Sequence, residues 1–289
     1  MEIKKIPYEG IDNCYECIAD GKRLVITAAF GPRILHASVG KSGNLLYIDT
    51  KRELGLGDWK IYGGHRLWTS PEANDSYSPD NFPCTVRVEN GECAVTFLDE
   101  KTDLEKSIII GYEEGRFRIT HRFINRGIFL YPAALWALTC VKPAGTVFIP
   151  WGSRSKEWET KKIIYWKKWG GVHSSTLRSP QYVEGDDLFL VKPTGEEGKI
   201  GTAGHEGFIG ISTPQATFMK SFTRQHGAVY PDDNCAIECY TCDKFIELET
   251  LSPEYMLEPN VTYEHTEEWL LIDSAVDPND GAAVRRLLS

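Results

Sequence analysis

Apolar and polar side chains in this chain alternate with a period of two far more often than with the period of a helix. The clearest case is residues 116–125, where Phe117, Ile119, His121 and Phe123 alternate with Arg118, Thr120 and Arg122, as in a half-buried antiparallel strand. Runs rich in Val, Ile and Leu predict further strands at 15–19, 23–30, 33–39, 84–89, 92–98 and 104–110, with hairpin turns at Asp20-Gly21 and Gly31-Pro32. The run 131–141 is apolar throughout and predicts a central strand buried on both faces. Strands resume at 188–191, 199–203, 207–211, 216–222, 235–240, 245–251 and 263–271. Only the end reads as helix, with Asp277-Pro278 as N-cap and first helical residue and apolar spacing over 282–288. Strands and helices do not alternate, which disfavours an α/β fold, and no blade-length repeat favours a propeller. The expectation is an all-β, two-sheet antiparallel sandwich with a short C-terminal helix.

Two stretches interrupt this pattern. A Gly-rich segment at 54–58 leads into Tyr62-Gly-Gly-His-Arg-Leu-Trp68 and a polar connection at 71–83, read as one loop excursion. A second follows Phe148-Ile-Pro-Trp151, with a Trp-rich segment at 158–169, Gly170-Gly171 and a polar run to Pro180. Long loops in compact domains often carry function.

Composition narrows the class. A chain of 289 residues, 42% hydrophobic and 25% charged, is an ordinary globular one. Its net charge of -9 disfavours nucleic acid and anionic membranes as partners. Lys161, Lys162, Lys167 and Lys168 do surround Trp166 and Trp169, a patch that also suits a solvated rim. No apolar core of signal-peptide length opens the chain and no run of membrane-spanning length occurs, so a cytoplasmic, soluble protein is expected.

The eight cysteines then read as reduced thiols. Cys14 and Cys17 fall in strand-like sequence rather than at the helix start a redox pair needs. Cys235, Cys239 and Cys242 have the spacing of an iron–sulfur motif in radical enzymes, yet only a short β-rich tail follows them. No cofactor is expected.

The richest chemistry lies in Phe245-Ile-Glu-Leu-Glu-Thr-Leu-Ser-Pro253. As a strand it places Glu247, Glu249 and Leu251 on one face and Ile246, Leu248 and Thr250 on the other. A solvated edge strand would carry the same pattern. Abundant tryptophan and the polar-aromatic stretch 62–72 add the ingredients of a sugar site.

With Leu248-Glu249-Thr250 followed by Pro253, Phe123-Ile-Asn125 closing an alternating strand, and Gly63-Gly-His-Arg-Leu-Trp68 with Pro71-Glu72, the chain resembles a divergent branch of the aldose 1-epimerase, or galactose mutarotase-like, superfamily. The resemblance implies one supersandwich domain over 1–289, a concave sugar face, Glu249 as general base and Arg66 as the arginine that holds substrate. Active mutarotases have a general-acid histidine in a His-x-Tyr-Phe type segment, where this chain has Ala133-Ala-Leu-Trp-Ala-Leu138. His65 is then the first choice for proton donor, with Trp68, Trp136 or Trp151 stacking on a pyranose and Glu72 and Glu238 accepting hydroxyls. Glu247 beside Glu249 would raise its pKa.

Bland alternatives stand beside each choice: core packing for each tryptophan and for His121, and surface acids for Glu72 and Glu238. The expected function is binding of a small carbohydrate with interconversion of its anomers, or binding alone where the acid is lost. A metal centre using His65 and Glu72 matches no standard ligand spacing, so no metal is expected. Arg66 and Glu249 are expected to flank one hexose-sized hollow. Oligomeric state has no signal here.

Overall fold

A computed structural model describes residues 1–151, 160–167 and 176–288. Two large sheets dominate it. The first has eleven strands, ordered Glu2–Tyr8, Ile11–Ala19, Lys22–Thr27, Arg33–Val39, His65–Ser70, Tyr131–Val141, Ile246–Leu251, Ile237–Thr241, Gly198–Thr202 and Ile164–Tyr165, with Tyr255–Leu257 paired to the start of Tyr131–Val141. The second has ten, ordered Tyr182–Glu184, Leu188–Val191, Thr146–Pro150, Phe208–Ser212, Thr217–Phe222, Thr262–Ile272, Arg116–Asn125, Leu104–Glu113, Glu92–Asp99 and Thr85–Glu89. Neighbouring strands run antiparallel. No described helix is long and apolar enough to cross a membrane.

The all-β expectation holds, and Tyr131–Val141 is central as its apolar run implied. It lies between His65–Ser70 and Ile246–Leu251, and every residue from 133 to 141 is buried. A strand covered on both faces has no position for a polar side chain that lacks a partner, which is why periodicity vanishes there.

Three elements differ from expectation. His65–Ser70 is a fully buried strand of the first sheet and not part of a loop. Its entry needs Gly63 and Gly64, both at positive φ (73° and 69°), where a Cβ would come within 2.3 Å of Tyr47 O and 2.2 Å of Ile34 O. The glycines that suggested a loop instead let the chain pass close to its neighbours. The N-terminal residues form the strand Glu2–Tyr8. The C-terminal helix is Gly281–Arg285, followed by a 3-10 turn at Arg286–Leu288. Its N-cap is Asp280, whose carboxylate accepts from Ala283 N at 2.9 Å, whereas Asp277 accepts from Asn279 N.

The core fills the space between the sheets, with Leu67, Leu135, Ile246 and Leu248 from the first meeting Phe117, Ile119, Phe123 and Trp269 from the second. A second apolar cluster covers the opposite, outer face of the first sheet and includes Trp59, Trp68, Trp136, Leu138 and Leu251. The cysteines described are all unpaired, and Cys239 sits in the inter-sheet core.

Candidate functional site

Parity along three neighbouring strands builds the site. On Ile246–Leu251, Glu247 and Glu249 project to the outer face while Leu248 points into the core. On Tyr131–Val141, Trp136 projects the same way, and on His65–Ser70 so do Arg66 and Trp68. The register pairs Leu138 with both Arg66 and Glu249, so one strand separates the guanidinium from the Glu249 carboxyl. Arg66 donates to Glu247 Oε1 at 3.0 Å and lies 4.6 Å from the ring centroid of Trp68. Its approach to that ring is a cation–π contact.

Glu249 is the most constrained group. Its Oε2 accepts from Trp136 Nε1 at 2.7 Å and from Lys199 Nζ at 2.7 Å, while Oε1 has no partner among the described residues. Lys199 Nζ also lies 2.7 Å from Glu238 Oε2. Lys199, Glu238 and Glu249 are at most 1% exposed. Burial pushes both carboxyls up, Glu238 well above the usual carboxylate range. Burial would lower Lys199, but the two acids outweigh it and raise its pKa.

The residues singled out in the sequence therefore divide. Glu249, Arg66, Trp68, Trp136, Glu238 and Glu247 share one face. Glu72 reaches its margin, accepting from Tyr77, whose ring packs edge-on against Trp59 and Trp68. Trp151 stands apart, donating to Gly185 O at 3.0 Å and packing on Phe189 in the second sheet.

His65 is a correction: it projects from the opposite side of its strand into the inter-sheet core, fully buried. A donor there cannot reach a ring oxygen held beside Glu249, because the sheet itself lies between them. Arg66, Trp68, Trp136, Glu247 and Glu249 are themselves buried, and a cavity of about 830 Å³ lies elsewhere among the described residues, lined by Asp58, Ser78, Phe82, Thr96 and Asp99.

Lys199 was missed. Its strand, Gly-Lys-Ile-Gly-Thr202, has one charge among small and apolar residues, a signal that a buried ion pair would give but that a surface strand gives as well. Of the basic patch, Lys161 pairs with Glu184 at 3.0 Å and Lys162 donates to Asp233 O at 3.1 Å, as a solvated rim does. Lys168, Trp169 and Trp158 lie outside the described residues.

His65 belongs to a second buried network. Its Nε2 is 2.7 Å from His121 Nε2 and its Nδ1 2.8 Å from Thr139 Oγ1. His121 donates through Nδ1 to His265 O at 2.8 Å, so His121 is a core histidine with both ring nitrogens engaged. Lys220 Nζ meets Glu267 Oε1 at 2.8 Å and donates to Ala137 O, Thr139 Oγ1 and Leu248 O. Trp269 Nε1 donates to Glu267 Oε2, and Thr250 joins Glu267 to His265 Nε2. With neutral rings the protons have one consistent placement: His265 gives to Thr250, Thr250 to Glu267, Thr139 to His65, and His65 to His121. His65, His121 and Glu267 are grouped closely enough to hold a metal ion, but their donor atoms are engaged with one another and with Lys220, Thr139, Thr250 and Trp269.

Comparison with known proteins agrees with this architecture. No protein-family model and no curated protein matches the chain. Among solved structures it is similar to a galactose mutarotase-like protein from Lactobacillus casei, at 10% identity and TM-score 0.61, over 90% of this chain and 100% of that one. An Escherichia coli K12 protein proposed to be an aldose 1-epimerase aligns at 11% identity and TM-score 0.62, over 90% and 98% of the two chains. A galactose mutarotase-like protein from Clostridium acetobutylicum aligns at 12% identity and TM-score 0.56, over 94% and 98%. Identities this low establish architecture. The chain has the galactose mutarotase-like fold.

Proposed function

We propose that this protein binds a carbohydrate on the outer face of its first sheet and interconverts the sugar's anomers, with Glu249 as general base. The observation that carries this reading is the state of Glu249. It is a buried carboxyl whose Oε2 is anchored by Trp136 and Lys199 and whose Oε1 is unpartnered, on the face that also carries Arg66 and Trp68. Anomer exchange needs a base to take the proton of the anomeric hydroxyl and an acid to protonate the ring oxygen as the C1–O5 bond opens. Rotation about C1–C2 and reclosure give the other anomer. A carboxyl raised by burial is suited to the first task, since a base works best when its pKa approaches the operating pH. Trp136 occupies the segment where active mutarotases have their acid. An indole N–H orients Glu249 but supplies no proton at neutral pH.

Because Arg66, Trp68, Trp136 and Glu249 are buried, a sugar must displace side chains that cover them. Arg66 would then exchange part of its bonding to Glu247 for ring hydroxyls.

The test is anomeric interconversion of a panel of aldoses, followed by polarimetry or NMR. Glu249→Gln should lower turnover about 10²–10⁴-fold and leave the sugar-induced rise in Tm in place. A rise in Tm without any rate above buffer would support the alternative of a sugar-binding protein that lacks catalysis. Neither effect for any sugar would end the proposal.

A further inference from the structure

The group that protonates the ring oxygen must stand beside Glu249, and the geometry supplies one. In the register between Ile237–Thr241 and Ile246–Leu251, Glu238 lies directly opposite Glu249, so the two carboxyls project side by side from adjacent strands. Like charges in that position repel, and both side chains are fully buried. Lys199 stands between them, its Nζ 2.7 Å from an oxygen of each. These two oxygens are therefore no more than twice that distance apart, as suits two groups that must serve oxygens bonded to a single sugar carbon.

Among the described residues, the charges facing Glu238 leave an excess of acid. Lys199 is shared. Asp232 adds a further carboxylate nearby, and the Cys235 thiol is held in its neutral form chiefly by burial. Arg66 is engaged by Glu247, and the Lys162 ammonium lies at the rim against Asp233 O. Trp166 packs over Gly201 on this side of the cluster, where a Cβ would meet its ring at 3.1 Å. One ammonium between two buried carboxyls leaves the second to be neutralised by a proton.

The proton belongs on the acid with fewer donors. Glu249 receives hydrogen bonds from both Trp136 and Lys199, whereas the donor beside Glu238 among the described residues is Lys199 alone, 2.7 Å from its Oε2. We propose that Glu238 holds this proton and is the general acid of anomer exchange, a role that rests on the assignment of Glu249 as base. Burial acts in the same direction, since it raises Glu238 well above the ordinary carboxylate range.

The step balances without any further reactant. Glu249 takes the proton from the anomeric hydroxyl, the C1–O5 pair moves to O5, and O5 takes the proton of Glu238. The open-chain aldehyde then lies between a protonated Glu249 and an ionised Glu238. Rotation and reclosure return each proton to its starting group.

Three measurements test this on the full chain. Infrared spectra near neutral pH should show a protonated carboxyl stretch that Glu238→Gln removes. In the same variant, kcat for the aldose turned over best should fall about 10²–10⁴-fold with KM little changed, and the alkaline limb of the pH–rate profile should disappear. If Glu238→Gln does not fold, Glu238→Asp keeps an acid on a shorter arm and should lower kcat while retaining that limb.

A wild-type spectrum with no protonated carboxyl would overturn the assignment. So would unchanged turnover in Glu238→Gln, and if Glu249→Gln is still inactive the proposed function survives that result. A wild-type protein inactive on every aldose overturns the function and the donor role together.

Discussion

The protein buries two lysine–glutamate clusters, one on each side of the first sheet, and they are built on opposite principles. Between the sheets, Lys220 and Glu267 match one cation to one anion, both oxygens of Glu267 are bonded, and the surrounding histidines and threonines place every proton. On the outer face, Lys199 serves two carboxyls, and both Glu238 and Glu249 keep an oxygen without a partner. A satisfied buried network fixes one arrangement of the backbone. An unsatisfied one costs stability. The two are mechanically joined: Lys220 donates to Leu248 O and the Thr250 hydroxyl to Glu267, so the inner cluster holds the residues on either side of Glu249.

The largest effect that would break this contrast is on stability. Lys220→Met should cost about 3–5 kcal/mol in urea unfolding, because it leaves Glu267 charged and unmatched in the core. A loss under about 1 kcal/mol would show that the inner cluster is not locked.

A smaller, pH-dependent effect sharpens it. Burial, as first cause, lowers all three core histidines: His265 to about 3, His121 below its ordinary value, and His65 well below. The unfolded chain therefore binds protons that the folded one refuses. Stability from these groups is full above about pH 6.5 and is lost as pH falls, by about 1.4 kcal/mol per pH unit for each ring that stays neutral. Glu238 and Glu249 act in the opposite sense, since their raised values favour the folded state at low pH and lose that contribution as pH rises. Urea titrations between about pH 7 and about pH 5 should thus show net acid lability, and His265→Gln should reduce the slope by one proton's worth. An unchanged slope would place the titrating groups elsewhere.

The smallest effect is the control. Arg122 and Glu264 pair at 2.7 Å on the exposed side of the second sheet, with side chains 37% and 42% exposed. Glu264→Ala should change unfolding free energy by less than about 1 kcal/mol, since water and salt screen such a pair. A loss comparable to that of Lys220→Met would mean that burial is not what separates these pairs.

Much of this was legible from the chain alone. The alternation in 116–125 and 245–251 yields the strands and the faces of their side chains, because successive residues of a strand must point in opposite directions. That rule placed Glu247 and Glu249 together and, through the resemblance carried by Leu248-Glu249-Thr250, gave the fold. The same rule would have separated His65 from Arg66 had 65–70 been recognised as a strand. Gly63-Gly64 concealed it, since a glycine pair that permits close backbone passage reads like one that ends a strand.

What the sequence determined by itself is the two-residue rhythm, and with it the all-β architecture and the common face of the two glutamates on one strand. Tertiary structure alone decided which strands became neighbours. Strand order brought Glu238 opposite Glu249, laid Trp136 alongside, and set Lys199 between the acids although it is fifty positions away from Glu249. The reason is that alternation specifies direction within a strand, whereas pairing between distant strands depends on the packing of the whole core. An ion pair exists only once that packing has removed the water between its partners.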